Sequence, residues 1–394
     1  MAVPPPTRQP GNRFHEAAVY CKKCLTPNTW PDAVFDEHGV CLPCRYFEGL
    51  DRIDWAARRR ELDDIAAWGR QNSRGAYDCI IGVSGGKDSH RQAFFVRDEI
   101  GLKPLLVSCA YPPEQLAERG AANLANLVSH GFDVHIVGPA PQTSKTLMRF
   151  SFTEYGNLFR ATELALYSAL PREAIAQGIP LIFLGENPGL AFGGNAGSFT
   201  GDANQQRTHH TLSGAELDPW LRAGVPASHM LCYKYPPDRD VARAQLRIVY
   251  LGYYMRDFND VANTRFAVDH GLHVRTDGDA DPNETGSINP ADAVDEEFVH
   301  VNQFLKYLKL GFGKVTQQPS VLIRLGKMTR EEGADLVRRY DGKCGERYIR
   351  KLCDYLGLAT AEFAEAAERY RNRDLWQLNN QGDWELRYKL RPEK

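Results

Sequence analysis

The sequence predicts an α/β protein: a parallel sheet with helices on both faces, preceded by a small four-cysteine module and followed by a mainly helical C-terminal region. Three observations predict it. Apolar runs alternate with helical stretches from Tyr77 to Gly185, a pattern that calls for crossover connections between parallel strands. Two Cys-x-x-Cys pairs stand ahead of that stretch, and beyond residue 293 apolar residues recur at helical spacing.

In chain order, residues 1–18 are rich in proline and polar residues and read as a flexible arm, followed by the cysteine module at 19–48 and a helical linker at 49–76. The α/β domain spans 77–292. Its predicted strands are Asp78–Val83, Pro104–Ala110, Asp133–Val137 and Pro180–Gly185, with helices over Lys87–Ile100, Glu114–His130 and Thr146–Leu170 between them. Residues 187–211 are glycine-rich and polar, without periodicity, and read as a loop over the carboxyl edge of the sheet, where substrate contacts are expected. A further strand is predicted at Ile248–Met255, a helix at Asp257–His270 and a polar loop at Asp277–Pro290. The region 293–394 carries helical patterns at Glu296–Leu310, Thr329–Tyr340, Gly345–Leu356 and Thr360–Arg371, with Thr329, Glu331 and Glu332 marking one helix start.

With 43% hydrophobic and 25% charged residues, the chain has an ordinary globular composition. Its 48 basic and 50 acidic residues give a net charge of -2, which argues against a nucleic-acid partner. No run approaches the ~18 apolar residues of a membrane helix, and the N-terminus lacks the apolar core of a signal peptide. The expected location is the cytoplasm, without membrane association.

The most informative stretch joins the first strand to Ser84-Gly85-Gly86-Lys87-Asp88-Ser89 and then to a helix. A glycine turn between strand and helix lets the backbone approach an anion, and the free N–H groups and dipole of the helix start favour negative charge. Ser84 and Ser89 offer hydroxyls, Lys87 a positive charge, and Asp88 a ligand for Mg²⁺ beside a phosphate. The segment lacks the glycine spacing of a Walker loop. It resembles the Ser-Gly-Gly-x-Asp-Ser pyrophosphate loop of the adenine nucleotide alpha-hydrolase-like superfamily, whose members cleave ATP between the α and β phosphates. That resemblance implies that adenine lies near Val107 and Ser108, and that Gly185-Glu186-Asn187 closes the pocket.

Cys21 and Cys24, then Cys41 and Cys44, form two pairs with sixteen residues between them, a spacing suited to a tetrahedral tetrathiolate site of structural role. Zn²⁺ is the expected metal; an iron–sulfur cluster uses the same ligands. Cys79 and Cys109 read as core residues of strands, Cys344 and Cys353 as opposite faces of a helix, and Cys232 as the one cysteine beside a polar loop. His209-His210 reads as a solvent-facing pair.

The cysteine module, the glycine turn, Leu310-Gly311-Phe312-Gly313-Lys314 and Ile323-Arg324-Leu325-Gly326-Lys327-Met328-Thr329-Arg330-Glu331-Glu332 together resemble the N-acetyl sugar amidotransferase family, over roughly residues 19–375. The family converts an acetamido group on a sugar of bacterial surface polysaccharides, or on a nonulosonic acid, into an acetamidino group. The resemblance implies ATP-dependent adenylation of the acetamido oxygen and displacement of AMP by ammonia. It also implies a phosphate contact by Lys314 and a separate glutaminase with a barrel protein as the ammonia source. Gln317 and Gln318 depart from the pattern, since many relatives are expected to carry an acidic residue there. The alternative is a transfer RNA thiolation enzyme, which would share the cysteine module and the loop but call for a basic face and reactive cysteines.

Overall fold

The computed structural model describes residues 18–31, 33–187, 200–205, 216–388 and 390. Most of the arm at 1–18, much of the loop at 187–211, and His209 and His210 lie outside the described residues. Five parallel strands form the sheet: β1 (Cys79–Gly82), β2 (Pro104–Cys109), β3 (Val134–Val137), β4 (Leu181–Leu184) and β5 (Arg247–Tyr250), in the order β3-β2-β1-β4-β5. All four pairings are parallel, with Ile80 opposite Leu105 on one side and Ile182 on the other. The chain builds outward from β1 to β3, then returns to place β4 on the free side of β1. The connections therefore diverge between β1 and β4, where such sheets open a crevice at the strand carboxyl ends.

Both faces are covered. Ile81, Leu106 and Phe183 pack with Leu62 and Ile65 of helix Trp55–Asn72, Ala93 of helix Lys87–Phe94, and Phe258. Ile80, Leu105 and Ile182 face Leu170 and Ala174 of helix Arg160–Gln177. The segment read as a linker thus forms part of the sheet's own core. The predicted helix Lys87–Ile100 changes winding at Phe95, with a π-helical turn over Phe95–Glu99. The stretch predicted as one helix over 146–170 is two, Pro141–Tyr155 and Arg160–Gln177, because Gly156 takes a left-handed conformation, φ 55°, that ends the first. The expected strand at Ile248–Met255 closes at Tyr250, and Leu251–Tyr254 turns as a short 3₁₀ segment.

The C-terminal region holds helices Val299–Leu310, Lys314–Arg324, Arg330–Tyr340, Glu346–Leu356 and Thr360–Glu368. Thr329 caps the third through a reciprocal pair of bonds with Glu332. A small antiparallel hairpin, β6 (Trp376–Leu378) with β7 (Trp384–Leu386), follows beyond the last predicted helix of this mainly helical region. Among the described residues no helix is long and apolar enough to cross a membrane.

Candidate active site and metal centre

At the divergence of β1 and β4 lies a cavity of about 520 Å³. Gly82, Val83 and Ser84 bring the end of β1 to it, Val107 and Cys109 that of β2, and Gly185, Glu186 and Asn187 that of β4. The glycine turn is built as the sequence predicts. Gly85 has φ +89°, and a Cβ there would press on the backbone of Asn123 and Leu124. Helix Lys87–Phe94 starts at Gly86 with no side-chain cap, so the first N–H groups, which have no intrahelical partner, are left to a ligand. The Ser84 N–H donates to Ser89 Oγ at 3.0 Å, and the Ser84 hydroxyl bonds the buried carboxyl of Asp295, which Tyr111 also meets.

Ser84, Asp88, Ser89, Val107, Gly185, Glu186 and Asn187 line the cavity. Gly85, Gly86, Lys87, Ser108 and Lys314 are not on its wall. Ser108 is buried, because side chains alternate along β2 and Val107 takes the cavity side. Lys87 is only 8% exposed, and its Nζ lies 3.1 Å from Asp88 Oδ2, 3.0 Å from Asp260 Oδ1 and 3.8 Å from Asp292 Oδ1. Burial works against its charge, but the three carboxylates outweigh that and hold the ammonium well above the usual lysine range. Lys314 binds the other oxygen of Asp292 at 3.0 Å. Burial likewise works against ionising Asp292, yet Lys314 and Lys87 hold its carboxyl down at about 2. Gln318 donates to Asp292 at 3.1 Å and accepts from Ile288 N–H at 2.8 Å, while Gln317 accepts from Lys306 at 3.0 Å. The two amides thus serve internal bonds.

Asp88 keeps one oxygen on Asn263 Nδ2, 2.7 Å away, and its side chain is half exposed toward the cavity. Asp260, Asn263, Asp292 and Asp295 were not anticipated from sequence; no spacing pattern ties them to the turn. Cys109, expected in the core, lines the cavity, and burial pushes its thiol up to about 12, which keeps it protonated near neutral pH. Cys79 is fully buried, and Cys344 precedes helix Glu346–Leu356, which carries Cys353, with both packed in the same core cluster.

The four cysteines meet as the spacing predicts. Their sulfurs all lie within 4.8 Å of one another, with Cys24 and Cys41 at 3.6 Å and Cys21 and Cys44 at 4.0 Å. A tetrahedral centre with metal–sulfur bonds of ~2.3 Å places sulfurs ~3.8 Å apart, so the set lies within about 1 Å of the spacing a metal ion needs. Cys21 Sγ accepts N–H bonds from Lys23, Cys24 and Cys41, a knuckle arrangement that supports thiolate charge. Among the described residues no second group of three or more such ligands comes together.

This module also walls the cavity. Phe47 of the module and Leu50 just beyond it line the cavity, as do Arg324 and Leu325 from the helical region. Arg324 Nη1 sits 3.6 Å from Cys24 Sγ, Leu25 N–H donates to Ser320 Oγ at 3.1 Å, and Trp30 stacks on Phe312 with ring centroids 5.6 Å apart. No curated protein aligns with the chain beyond chance. Residues 292–391, which supply Asp292, Asp295, Lys314 and Arg324, match the C-terminal domain family of WbpG-like LPS biosynthesis proteins, and this match supports a role in polysaccharide biosynthesis.

Proposed function

We propose that the protein is an ATP-dependent, AMP-forming amidotransferase that converts the acetamido group of an N-acetyl sugar into an acetamidino group. The observation that carries this reading is the uncapped glycine turn at the end of β1, opening on a cavity large enough for a nucleotide and a second reactant. Backbone N–H groups of the turn, with Ser84 and Ser89, bind the departing pyrophosphate. Asp88 would hold Mg²⁺, which would supply neutralisation of phosphate charge there. The acetamido oxygen attacks the α-phosphorus, ammonia adds to the resulting imidoyl carbon, and AMP leaves. No protein nucleophile is required; positioning and exclusion of water are. Val107, Leu170 and Phe258 supply apolar wall for the second. Zinc is the metal assigned to the four thiols, in a structural role, and ammonia comes from a separate glutaminase with a barrel protein. The protonated state of Cys109 disfavours sulfur transfer to RNA.

Purified protein incubated with Mg-ATP, an ammonium salt and free or UDP-linked N-acetyl sugars is expected to release AMP and to shift the sugar mass by exchange of O for NH. Release of ADP, or sulfur incorporation into transfer RNA, would refute the reading. Asp88→Ala is expected to lower AMP formation by at least ~100-fold with an unchanged melting temperature, since Asp88 is half exposed.

A further inference from the structure

The carboxyl of Glu186, at the end of β4, enters the same cavity as Asp88 and the turn. Among the described residues its buried Oε2 has no hydrogen-bond partner, a costly arrangement for a group with no task. The Tyr167 hydroxyl, from helix Arg160–Gln177, reaches the carboxyl and orients it. Among the described residues the groups facing it are Asp88 from the turn, Tyr167, and Tyr250 from β5. Burial raises the Glu186 carboxyl above the usual range, although its own backbone N–H and the bond from Tyr167 work the other way.

We infer that Glu186 is the proton acceptor for the nitrogen nucleophile, with Tyr167 as its positioning residue, an assignment that rests on the amidotransferase reading. Ammonia forms a C–N bond to the imidoyl carbon as the C=N π pair moves onto the sugar nitrogen, and the new ammonium of the adduct carries one proton in excess. Glu186 Oε2 takes that proton, the pair on the sugar nitrogen re-forms C=N, and the C–O bond to AMP breaks with its electron pair leaving on AMP. The carboxyl returns its proton to water when products depart. A base of raised affinity for protons suits a donor as weakly acidic as an ammonium.

The test compares two nucleophiles in Glu186→Gln, with Tyr167→Phe alongside. The adduct of hydroxylamine is far more acidic than that of ammonia and needs no protein base. With ammonium the variant is expected to form amidine at least ~100-fold more slowly than wild type, and with hydroxylamine within a few-fold of it. Tyr167→Phe should show the same contrast, weaker. Equal loss with both nucleophiles overturns the assignment, because Glu186 then serves adenylation or the fold. Unchanged ammonium turnover overturns it too. A wild type that forms no AMP with any acetamido sugar sinks the functional reading and this assignment with it, so the two failures are told apart in the wild-type control.

Discussion

The cysteine module and the Lys87 cluster are both buried assemblies of charge, and they solve the same problem in opposite ways. As thiolates, Cys21, Cys24, Cys41 and Cys44 would repel one another, with N–H donors and Arg324 offsetting only part of that, so the set is one that could hold a metal ion. Around Lys87, the carboxylates of Asp88, Asp260 and Asp292 meet two ammoniums, Lys87 and Lys314, so the chain supplies its own counter-charges. A metal bound by the thiols would balance the first; the second is balanced by tertiary packing.

The largest expected effect breaks the first region. Cys24→Ser, or a strong chelator, should remove the metal and abolish the cooperative melt of the module, on the order of 10 kcal/mol of linked binding free energy. Metal content and thermal melting check this, and a chelator that changes neither would erase the contrast drawn here. Lys87→Met breaks the second by leaving Asp260 and Asp292 short of a partner. It should cost about 3–5 kcal/mol in denaturant unfolding while metal content stays unchanged.

Acid should separate the regions further. His300 donates from Nδ1 to the Thr285 carbonyl at 2.9 Å and accepts at Nε2 from Arg275 at 2.8 Å. Burial, with Arg275 adding, depresses its pKa from 6.5 to about 4. A depressed folded value means stability is full above pH 6.5 and is lost as pH falls toward 4, by roughly 3 kcal/mol. His300→Gln should flatten that part of the pH–stability curve. The smallest effect is expected at Thr329→Ala, where the reciprocal cap with Glu332 is lost for about 1 kcal/mol, with both charged regions intact.

What could be read from sequence was local. The Cys-x-x-Cys pairs, the glycine turn and the Thr329 cap each place their partners within a few residues or on a fixed knuckle spacing, and the runs of the central strands β1 and β4 are apolar because both their faces are covered. Asp260, Asp292 and Asp295 reach the turn only through packing of distant segments, so nothing in their neighbourhoods marks them. Ser108 was misplaced because the strand end was legible while the side facing the cavity was not. The hairpin β6–β7 escaped because strands of three residues are too short for alternation to register, although Asn379–Asp383 carries turn chemistry.

Helix Glu118–Ser129 lies against the turn. Its backbone meets Gly85, and Gly120 lies so close to Asp295, whose carboxyl the Ser84 hydroxyl bonds, that an added methyl would collide with the Asp295 carbonyl oxygen. The helix therefore acts as a spacer of fixed thickness beside both. One carbon added at position 120, which is itself off the cavity wall, would displace a residue that lines the cavity and is tied to the turn, and so would reshape the cavity from outside it.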